Sequence, residues 1–304
     1  MDHISLSAIS KASPVPRHCA IAMIAASEIA GHSQLESFKS GMLQSRAILI
    51  VLSRMLMSTS AARKFISRRI RYLLSNPTPP TTSVRSTGAV AVLGSAPRSH
   101  KLVGLNANYR IISVNASQLA LQSWGVDATD ITLMGYSEIE GTNTSAVEAR
   151  RVLGGKRTGS LYVLAWRCGR ERLEADIKAF GYDFEEAHIV DRRQRIALLH
   201  KETGCQNLEL DTETKCLNGI IAALFALYNG AAAVILSGIN PHSAGHVYNR
   251  VNLARLHVRS GAEMLERLVR LGYPVYTADP QVSEDIGLPL WQGIGQVNAA
   301  SEQE

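Results

Sequence analysis

The feature that most constrains this chain is a short apolar run that ends abruptly in turn-forming residues. Residues 89–93 read Ala-Val-Ala-Val-Leu without polar alternation, and Gly94-Ser95-Ala96-Pro97 follows at once. Such a run is typical of a strand buried on both faces, as in the middle of a parallel sheet. The turn after it would lie at the carboxyl end of that strand, where open α/β sheets bind their ligands.

The loop that follows this run carries groups that suit a nucleotide or a phosphate. Gly94 would let a ligand approach the backbone closely. Ser95 and Ser99 offer hydroxyls, and Arg98 and Lys101 supply positive charge. The loop has neither the Gly-Lys-Ser/Thr ending of a P-loop nor the Gly-x-Gly-x-x-Gly pattern of a dinucleotide site. An ordinary strand-to-helix turn is an equally good interpretation of this stretch alone.

Short apolar runs alternate with helical segments through most of the remaining chain. The pattern predicts further strands at 109–115, 130–135, 160–166, 186–190, 231–236 and 274–277. It predicts helices at 116–124, 145–153, 171–180, 191–202, 217–228 and 260–271, three of them with a start at Ser145, Asn218 or Ser260. This order predicts an α/β fold, with a Rossmann-like, mostly parallel sheet and helices on both faces.

Charge is distributed unevenly along the chain. Residues 1–126 carry 14 Lys and Arg against three acidic residues, a net of +11, whereas the remainder has a net of −5. A basic half indicates an anionic partner, for which nucleotide phosphate, a membrane surface and nucleic acid are the candidates. The hydrophobic content of 46% excludes a disordered chain. Four cysteines without paired spacing predict neither a disulfide framework nor a zinc site, and favour a reducing cytosolic compartment.

The basic charge is concentrated in one predicted helix. Residues 54–75 hold six Lys and Arg beside apolar residues that share one face (Phe65, Ile66, Ile70, Leu73 and Leu74). That composition is typical of a helix lying in an anionic membrane interface, and a solvated helix packed on the domain is the alternative. Nucleic acid would not need the apolar face, so it is the less favoured partner. We expect a cytoplasmic protein held peripherally at the inner face of the membrane.

Five segments are predicted along the chain. They are a poorly ordered extension at 1–53, the basic helix at 54–75, a Pro/Thr/Ser linker at 76–87, an α/β nucleotide-binding domain at 88–295 and a tail at 296–304.

Several strand ends are expected to meet at one edge of the sheet. These are the 94–99 loop, Asn115, Gly135 and the pair Ser237-Gly238. Asn115 can both donate and accept hydrogen bonds, so it could bind a base or a sugar. Asn218-Gly219, at a predicted helix start, would expose backbone N–H groups that favour an anion, although a simple cap is the commoner outcome.

Histidines follow the 231–236 strand. His246 lies in Pro241-His-Ser-Ala-Gly-His246, and His257 lies between Arg255 and Arg259 ahead of a predicted helix. If residues 255–259 are extended, Arg255, His257 and Arg259 project from the same side of the segment. That arrangement suits a general base flanked by phosphate-binding cations. Each histidine can equally be structural. The predicted cleft loops hold no carboxylate cluster, so no metal is expected.

Residues 92–99 and 218–240 resemble the bacterial sialyltransferase-like glycosyltransferases, and the resemblance extends over about residues 88–291. Members of that group place a Gly-x-Gly-Pro-Ser loop and a Thr-Gly helix start around a nucleotide. The resemblance implies an inverting, metal-independent transferase without a cofactor. Its donor would be a nucleotide-activated sugar, with a CMP-linked acidic sugar expected, and its acceptor a glycan or glycolipid.

The resemblance also implies roles for individual residues. The nucleotide would be held by Gly94, Ser95, Pro97, Ser99 and Asn115, and Asn218 and Gly219 would lie near its phosphate. By their positions in the sequence, Ser237 and Gly238 are further candidates for the nucleotide, and Arg98 and Arg255 are the candidates for its phosphate. A histidine would be the base, with His257 preferred over His246. The loop departs from the family pattern, since Ala96 replaces the second Gly, Arg98 is inserted, and Asn218 replaces Thr or Ser.

Two other functions stay open. The archaeal-type pterin pyrophosphokinases share the same framework but need acidic metal ligands. A nucleotide-sugar or phospholipid-binding protein without catalysis would also fit the altered loop.

Overall fold

A computed structural model describes residues 60–210, 214–249 and 258–294. The predicted 1–53 extension, the 296–304 tail, Arg255 and His257 lie outside these ranges. The chain divides into two compact units with the boundary between Asn76 and Pro77.

Within the first unit, the described residues form helix α1 (Ser60–Ser75). Its first turn contains no acidic residue, and its exposed apolar side chains include Leu73 and Leu74, which are 45% and 72% exposed. Residues 54–59 of the predicted basic helix lie outside the description. No helix in the described ranges is both long and apolar enough to cross a membrane.

The second unit contains a seven-stranded sheet in which every pair of neighbouring strands is parallel. The strands are β1 (Ala89–Leu93), β2 (Arg110–Val114), β3 (Ala128–Gly135), β4 (Arg157–Leu164), β5 (Asp183–Val190), β6 (Ala233–Ser237) and β7 (Val275–Thr277). Their order across the sheet is β5-β4-β3-β2-β1-β6-β7. The predicted α/β fold with a parallel sheet is confirmed.

Helical segments connect these strands. A 3-10 helix (Ser117–Trp124) follows β2, and α2 (Tyr136–Glu140) and α3 (Thr144–Leu153) follow β3. Next along the chain come α4 (Arg170–Ala179), α5 (Arg192–Thr203), α6 (Asn218–Tyr228), α7 (Val258–Arg270) and α8 (Pro280–Ile286).

Helix α6 is the most deeply buried helix among those described. Every residue from Ile220 to Ala226 is buried, and the helix contacts β1, β2, β3 and β6 as well as α5. A helix that is apolar on all sides is stable only where other elements surround it. Since β6 follows α6 and returns parallel to β1, the first turn of α6 lies at the carboxyl edge of the sheet.

Two predicted helix starts need correction, those at Ser145 and Ser260, whereas α6 begins at Asn218 as predicted. Ser145 lies inside α3, because Asn143 is the cap and accepts a hydrogen bond from Ala146 N at 2.9 Å. Asn218 is the first residue of α6, and Leu217 precedes it as the cap position. Ser260 lies inside α7, and its hydroxyl donates to the Lys215 carbonyl at 3.1 Å.

The helical start of α7 also corrects the prediction for residues 255–259. Val258 and Arg259 are helical, so that part of the segment is not extended.

Part of the predicted linker is bound to the α/β unit. Thr82 N donates to Asn229 Oδ1 at 2.8 Å, and Ser86 N donates to the Asn229 carbonyl at 2.9 Å. Tyr162 Oη donates to the Thr81 carbonyl at 3.0 Å. Asn229 is buried at the end of α6, so its polar groups need such partners.

Candidate active site

The candidate site lies where the strand order reverses. The chain proceeds from β1 outward to β5, then returns to the other side of β1 with β6 and continues to β7. The carboxyl ends of β1 and β6 therefore flank a topological switch point, the usual position of a ligand crevice in open α/β sheets. The 94–99 loop leaves β1 at this point, Asn115 directly follows the adjacent β2, and Gly135 ends β3. The predicted convergence of these strand ends is confirmed.

The loops after β1 and β6 are joined by backbone hydrogen bonds. Gly94 N donates to the Ser237 carbonyl and Ala96 N donates to the Gly238 carbonyl, both at 2.8 Å. Val247 N donates to the Ser95 carbonyl at 2.9 Å. These bonds fix both loops against each other, so the crevice has a defined wall before any ligand enters.

The loop after β6 leaves no room for a side chain at Gly94. A Cβ at this position would lie 2.4 Å from the Gly238 carbonyl oxygen and 2.4 Å from Ile239 Cγ1. Gly238 is constrained in the same way, since its φ is +64° and its Cβ would lie 2.7 Å from the Gly94 carbonyl oxygen. The two glycines therefore allow the two loops to touch.

Ser95 and His246 form a hydrogen-bonded pair at the crevice. Ser95 Oγ lies 2.8 Å from His246 Nδ1, and the imidazole stacks on the ring of Tyr248 at a centroid distance of 5.2 Å. A nucleophilic serine would need backbone N–H donors for an oxyanion, and the N–H of the next residue, Ala96, is already bonded to Gly238. The pair therefore suits the orientation of an imidazole better than attack by Ser95.

Asn115 is held at the end of β2 with its side chain turned toward β3. Its backbone is left-handed, with a φ of 53°. Asn115 Oδ1 accepts a hydrogen bond from Gly135 N at 2.9 Å. A backbone N–H can only donate, so the oxygen of Asn115 is engaged and Nδ2 is the group that can reach a ligand.

The other predicted nucleotide-binding residues differ in accessibility. Ser237 is fully buried. Its hydroxyl accepts a hydrogen bond from His100 N and donates to the His100 carbonyl, so it stabilises the end of the β1 loop. Pro97 and Arg98 are exposed, and Ser99 is half-buried. Gly219 packs against Ile239, with 3.0 Å between a built Cβ and Ile239 Cδ1.

A cavity of about 470 Å³ opens beside the β1 loop. Its lining includes Pro97 and Arg98 on one side and Asn240 and Asp279 on the other. Asp279 is buried, caps α8 by accepting from Gln281 N at 3.0 Å, and lies 3.7 Å from His100 Nε2. Sequence reasoning missed Asp279, although an Asp directly before a Pro is a recognisable helix start.

A second cavity, of about 550 Å³, is lined in part by the residues that directly follow His246. Its lining consists of residues 247–249, Leu119 and three residues of α3, which are Thr144, Glu148 and Arg151.

Two charged side chains near the first turn of α6 have shifted pKa values. Burial raises the pKa of Glu138 to about 7, although Arg150 and Lys215 act in the opposite direction. Glu138 Oε2 is buried without a hydrogen-bond partner among the described residues. Burial, together with the charge of Arg195, lowers the pKa of Lys215. Neither residue carried a recognisable motif in the sequence, because only the fold brings them to this edge.

No family model and no curated protein matches this sequence. Solved structures with a similar fold include the sialyltransferase CstII from Campylobacter jejuni in complex with the substrate analogue CMP-3FNeuAc. That likeness has 12% identity and a TM-score of 0.45, and covers 69% of this chain and 87% of the other. The monofunctional alpha-2,3-sialyltransferase Cst-I from the same organism matches with 10% identity and a TM-score of 0.43, covering 75% of this chain and 99% of the other. The chain is thus distantly similar to these sialyltransferases.

Proposed function

We propose that this protein is a glycosyltransferase whose donor is a nucleotide-activated sugar, with a CMP-linked acidic sugar as the expected donor. The observation that carries the proposal is the position of the Gly94-Ser95-Ala96-Pro97-Arg98-Ser99 loop at the switch point between β1 and β6. The loop and the α6 start are also the two segments with the sialyltransferase-like sequence pattern. The reaction would invert the anomeric centre and would need neither a metal nor a further cofactor.

The nucleotide would lie along the carboxyl edge of β1 and β2. Asn115 Nδ2 and the first turn of α6, with Asn218 and Gly219, would donate to its polar groups. Arg98 is exposed on the β1 loop and would meet phosphate charge. Ser237 and Gly238 would act indirectly, by holding the β1 loop.

The chemical step requires one base. An acceptor hydroxyl attacks the anomeric carbon, the bond from that carbon to the phosphate oxygen breaks, and the nucleotide leaves with the bonding electron pair. The base takes the proton that the acceptor hydroxyl loses. His257 is the candidate favoured by its position between Arg255 and Arg259 in the sequence, and His246 is the candidate beside the described β1 loop.

Turnover of a CMP-linked acidic sugar, followed through release of CMP, tests the function. Removing the base should lower turnover by roughly 10²–10⁴-fold with little change in CMP affinity. His257→Ala and His246→Ala compared side by side identify which histidine is the base.

Binding of CMP without turnover would favour a non-catalytic nucleotide-sugar protein. Binding of a pterin with ATP instead of CMP would favour a pyrophosphokinase.

We further propose that the acceptor is a glycan or glycolipid at a membrane, and that residues 54–75 hold the protein at the anionic inner surface. Helix α1 supports this through its five basic residues and its exposed Leu73 and Leu74. Each Lys or Arg near an anionic surface contributes about 1 kcal/mol, so several can bind without a spanning helix.

Co-sedimentation with vesicles tests the membrane proposal. Binding should require anionic lipid, weaken with salt, and fall when Arg68 and Arg71 are both changed to Gln. Lys178→Gln with Lys201→Gln is the matched control, since both lysines are exposed on helices of the α/β unit and the loss of charge is equal. Equal sedimentation of the Arg68/Arg71 variant and the control would contradict the membrane proposal.

A further inference from the structure

A buried arginine lies beneath the proposed nucleotide site. Arg195, on α5, is only 3% exposed and makes three hydrogen bonds through three different nitrogens. Nε donates to Glu209 Oε1 at 2.8 Å, and Nη1 donates to Asn218 Oδ1 at 2.7 Å. Nη2 donates to the carbonyl of Cys216. The ion pair with Glu209 balances its charge in the interior, so the guanidinium is fixed in place.

This contact decides which way the Asn218 amide points. A guanidinium has donors and no acceptor, so only the oxygen of the Asn218 amide can face Arg195. Asn218 Nδ2 therefore points away from Arg195. It reaches toward the end of β3, where a Cβ built on Gly135 would lie 3.2 Å from Asn218 Nδ2 and 3.7 Å from Asn115 Oδ1.

The amide of Asn115 also has its oxygen bound to the protein. Its oxygen accepts from Gly135 N at 2.9 Å, which leaves its amide N–H groups for a ligand. Two neighbouring amides thus have their oxygens occupied by protein donors and offer only N–H groups. A site made of donors selects a ligand group made of acceptors, and the oxygens of a phosphate fit that requirement.

We propose that Arg195 is a positioning residue for the anion of the donor substrate. By accepting the Arg195 hydrogen bond, Asn218 is held with Nδ2 directed at a phosphate that lies between it and Asn115. This inference rests on the proposed nucleotide site. It adds Arg195, a residue that does not touch the ligand. Toward the ligand, it assigns Asn218 the role of a hydrogen-bond donor.

Replacing Asn218 with Asp tests the polarity of the site. Asn218→Asp keeps one oxygen for Arg195, so the melting temperature should stay equal or rise. Its second oxygen places a negative charge where Nδ2 stood. Affinity for CMP by calorimetry should then fall roughly 10- to 100-fold, as expected for the loss of a hydrogen bond to a charged group. An Asn218→Asp protein that is folded and binds CMP as tightly as the wild type overturns the proposal.

A double-mutant cycle tests the role of Arg195. Arg195→Lys should weaken CMP binding about 10-fold in the wild-type background and hardly at all when Asn218 is already Ala, because the effect passes through Asn218. A merely structural Arg195 would lower the melting temperature, but its effect on CMP affinity would be the same in both backgrounds, and that result overturns the proposal. Should Arg195→Lys fail to fold, the Asn218→Asp result decides alone.

Inorganic phosphate as a second probe separates this inference from the proposed function. If wild-type protein binds phosphate but not CMP, and Asn218→Asp abolishes that binding, the anion site stands and the proposed donor is wrong. If CMP binds equally to wild-type and Asn218→Asp proteins, the nucleotide site stands and the positioning role is wrong. Wild-type protein that binds neither probe overturns both.

Discussion

At the scale of single residues, the wall of the crevice depends on two glycines that face each other. We expect Gly94→Ala to destabilise the fold by about 1–3 kcal/mol or more, because the added methyl group would lie 2.4 Å from the Gly238 carbonyl oxygen. Thermal unfolding measures this loss. Gly88→Ala is the matched control, since its Cβ would meet nothing closer than 3.9 Å. Equal melting temperatures for the two variants would show that the loops do not touch as described.

The raised pKa of a second residue, Glu138, makes the stability of the fold depend on pH. Its pKa is about 7 in the folded protein and lies near 4.5 when unfolded, so the unfolded chain releases its proton first as the pH rises. Glu138 therefore stabilises the fold most below about pH 4.5, and this contribution is lost as the pH rises to about 7. Each unit of pKa difference corresponds to about 1.4 kcal/mol, so the contribution is at most about 3–4 kcal/mol.

The variant that tests this is Glu138→Gln, which cannot ionise. It should raise the melting temperature relative to wild type more at pH 8 than at pH 5. A constant difference between the two proteins across that range would contradict a raised pKa for Glu138.

At the scale of elements, strands β2, β3 and β4 are joined by a buried network of hydroxyl groups. Thr132 Oγ1 lies 2.8 Å from Ser113 Oγ of β2, 3.1 Å from Thr129 Oγ1 of β3 and 2.8 Å from Tyr182 Oη. Thr129 Oγ1 in turn donates to Thr158 Oγ1 of β4 at 3.0 Å, and all five residues are buried. Buried hydroxyls in a low-dielectric interior are costly when a partner is missing, so the network holds these strands in register.

Thr132→Val removes the central hydroxyl while keeping the shape of the side chain. We expect it to destabilise the protein by about 1–3 kcal/mol, because hydroxyls around it lose a partner. Denaturant unfolding measures the effect, with Thr142→Val at an exposed position as control. No difference between the two variants would contradict a stabilising role for the network.

The elements themselves were largely predictable from the sequence, because buried parallel strands and an all-apolar helix leave continuous apolar runs. The helix starts were less predictable. Ser145 and Ser260 match a capping pattern, yet Asn143 caps α3 and Ser260 lies within α7. Several residues near a helix start can satisfy the same free N–H groups, so local pattern does not choose among them. Helices α2 and α8 have five and seven residues and were not predicted, since such lengths leave little periodicity.

At the scale of the whole molecule, the strand order places the β1 loop beside the β6 loop, although they are about 140 residues apart in sequence. The sequence predicted which loops would share the edge, because parallel strands all end on the same side. It did not predict Arg195, Tyr248 or Asp279. Their roles depend on contacts across the fold: Arg195 with Asn218, Tyr248 with His246, and Asp279 with His100.

The measurement that tests the central claim most directly is a crystal structure of the full protein with CMP bound. The account predicts that CMP lies at the carboxyl edge of β1 and β2, with phosphate oxygens within hydrogen-bonding distance of Asn115 Nδ2 and Asn218 Nδ2. CMP bound elsewhere on the protein, or no CMP at this edge at a saturating concentration, would contradict it.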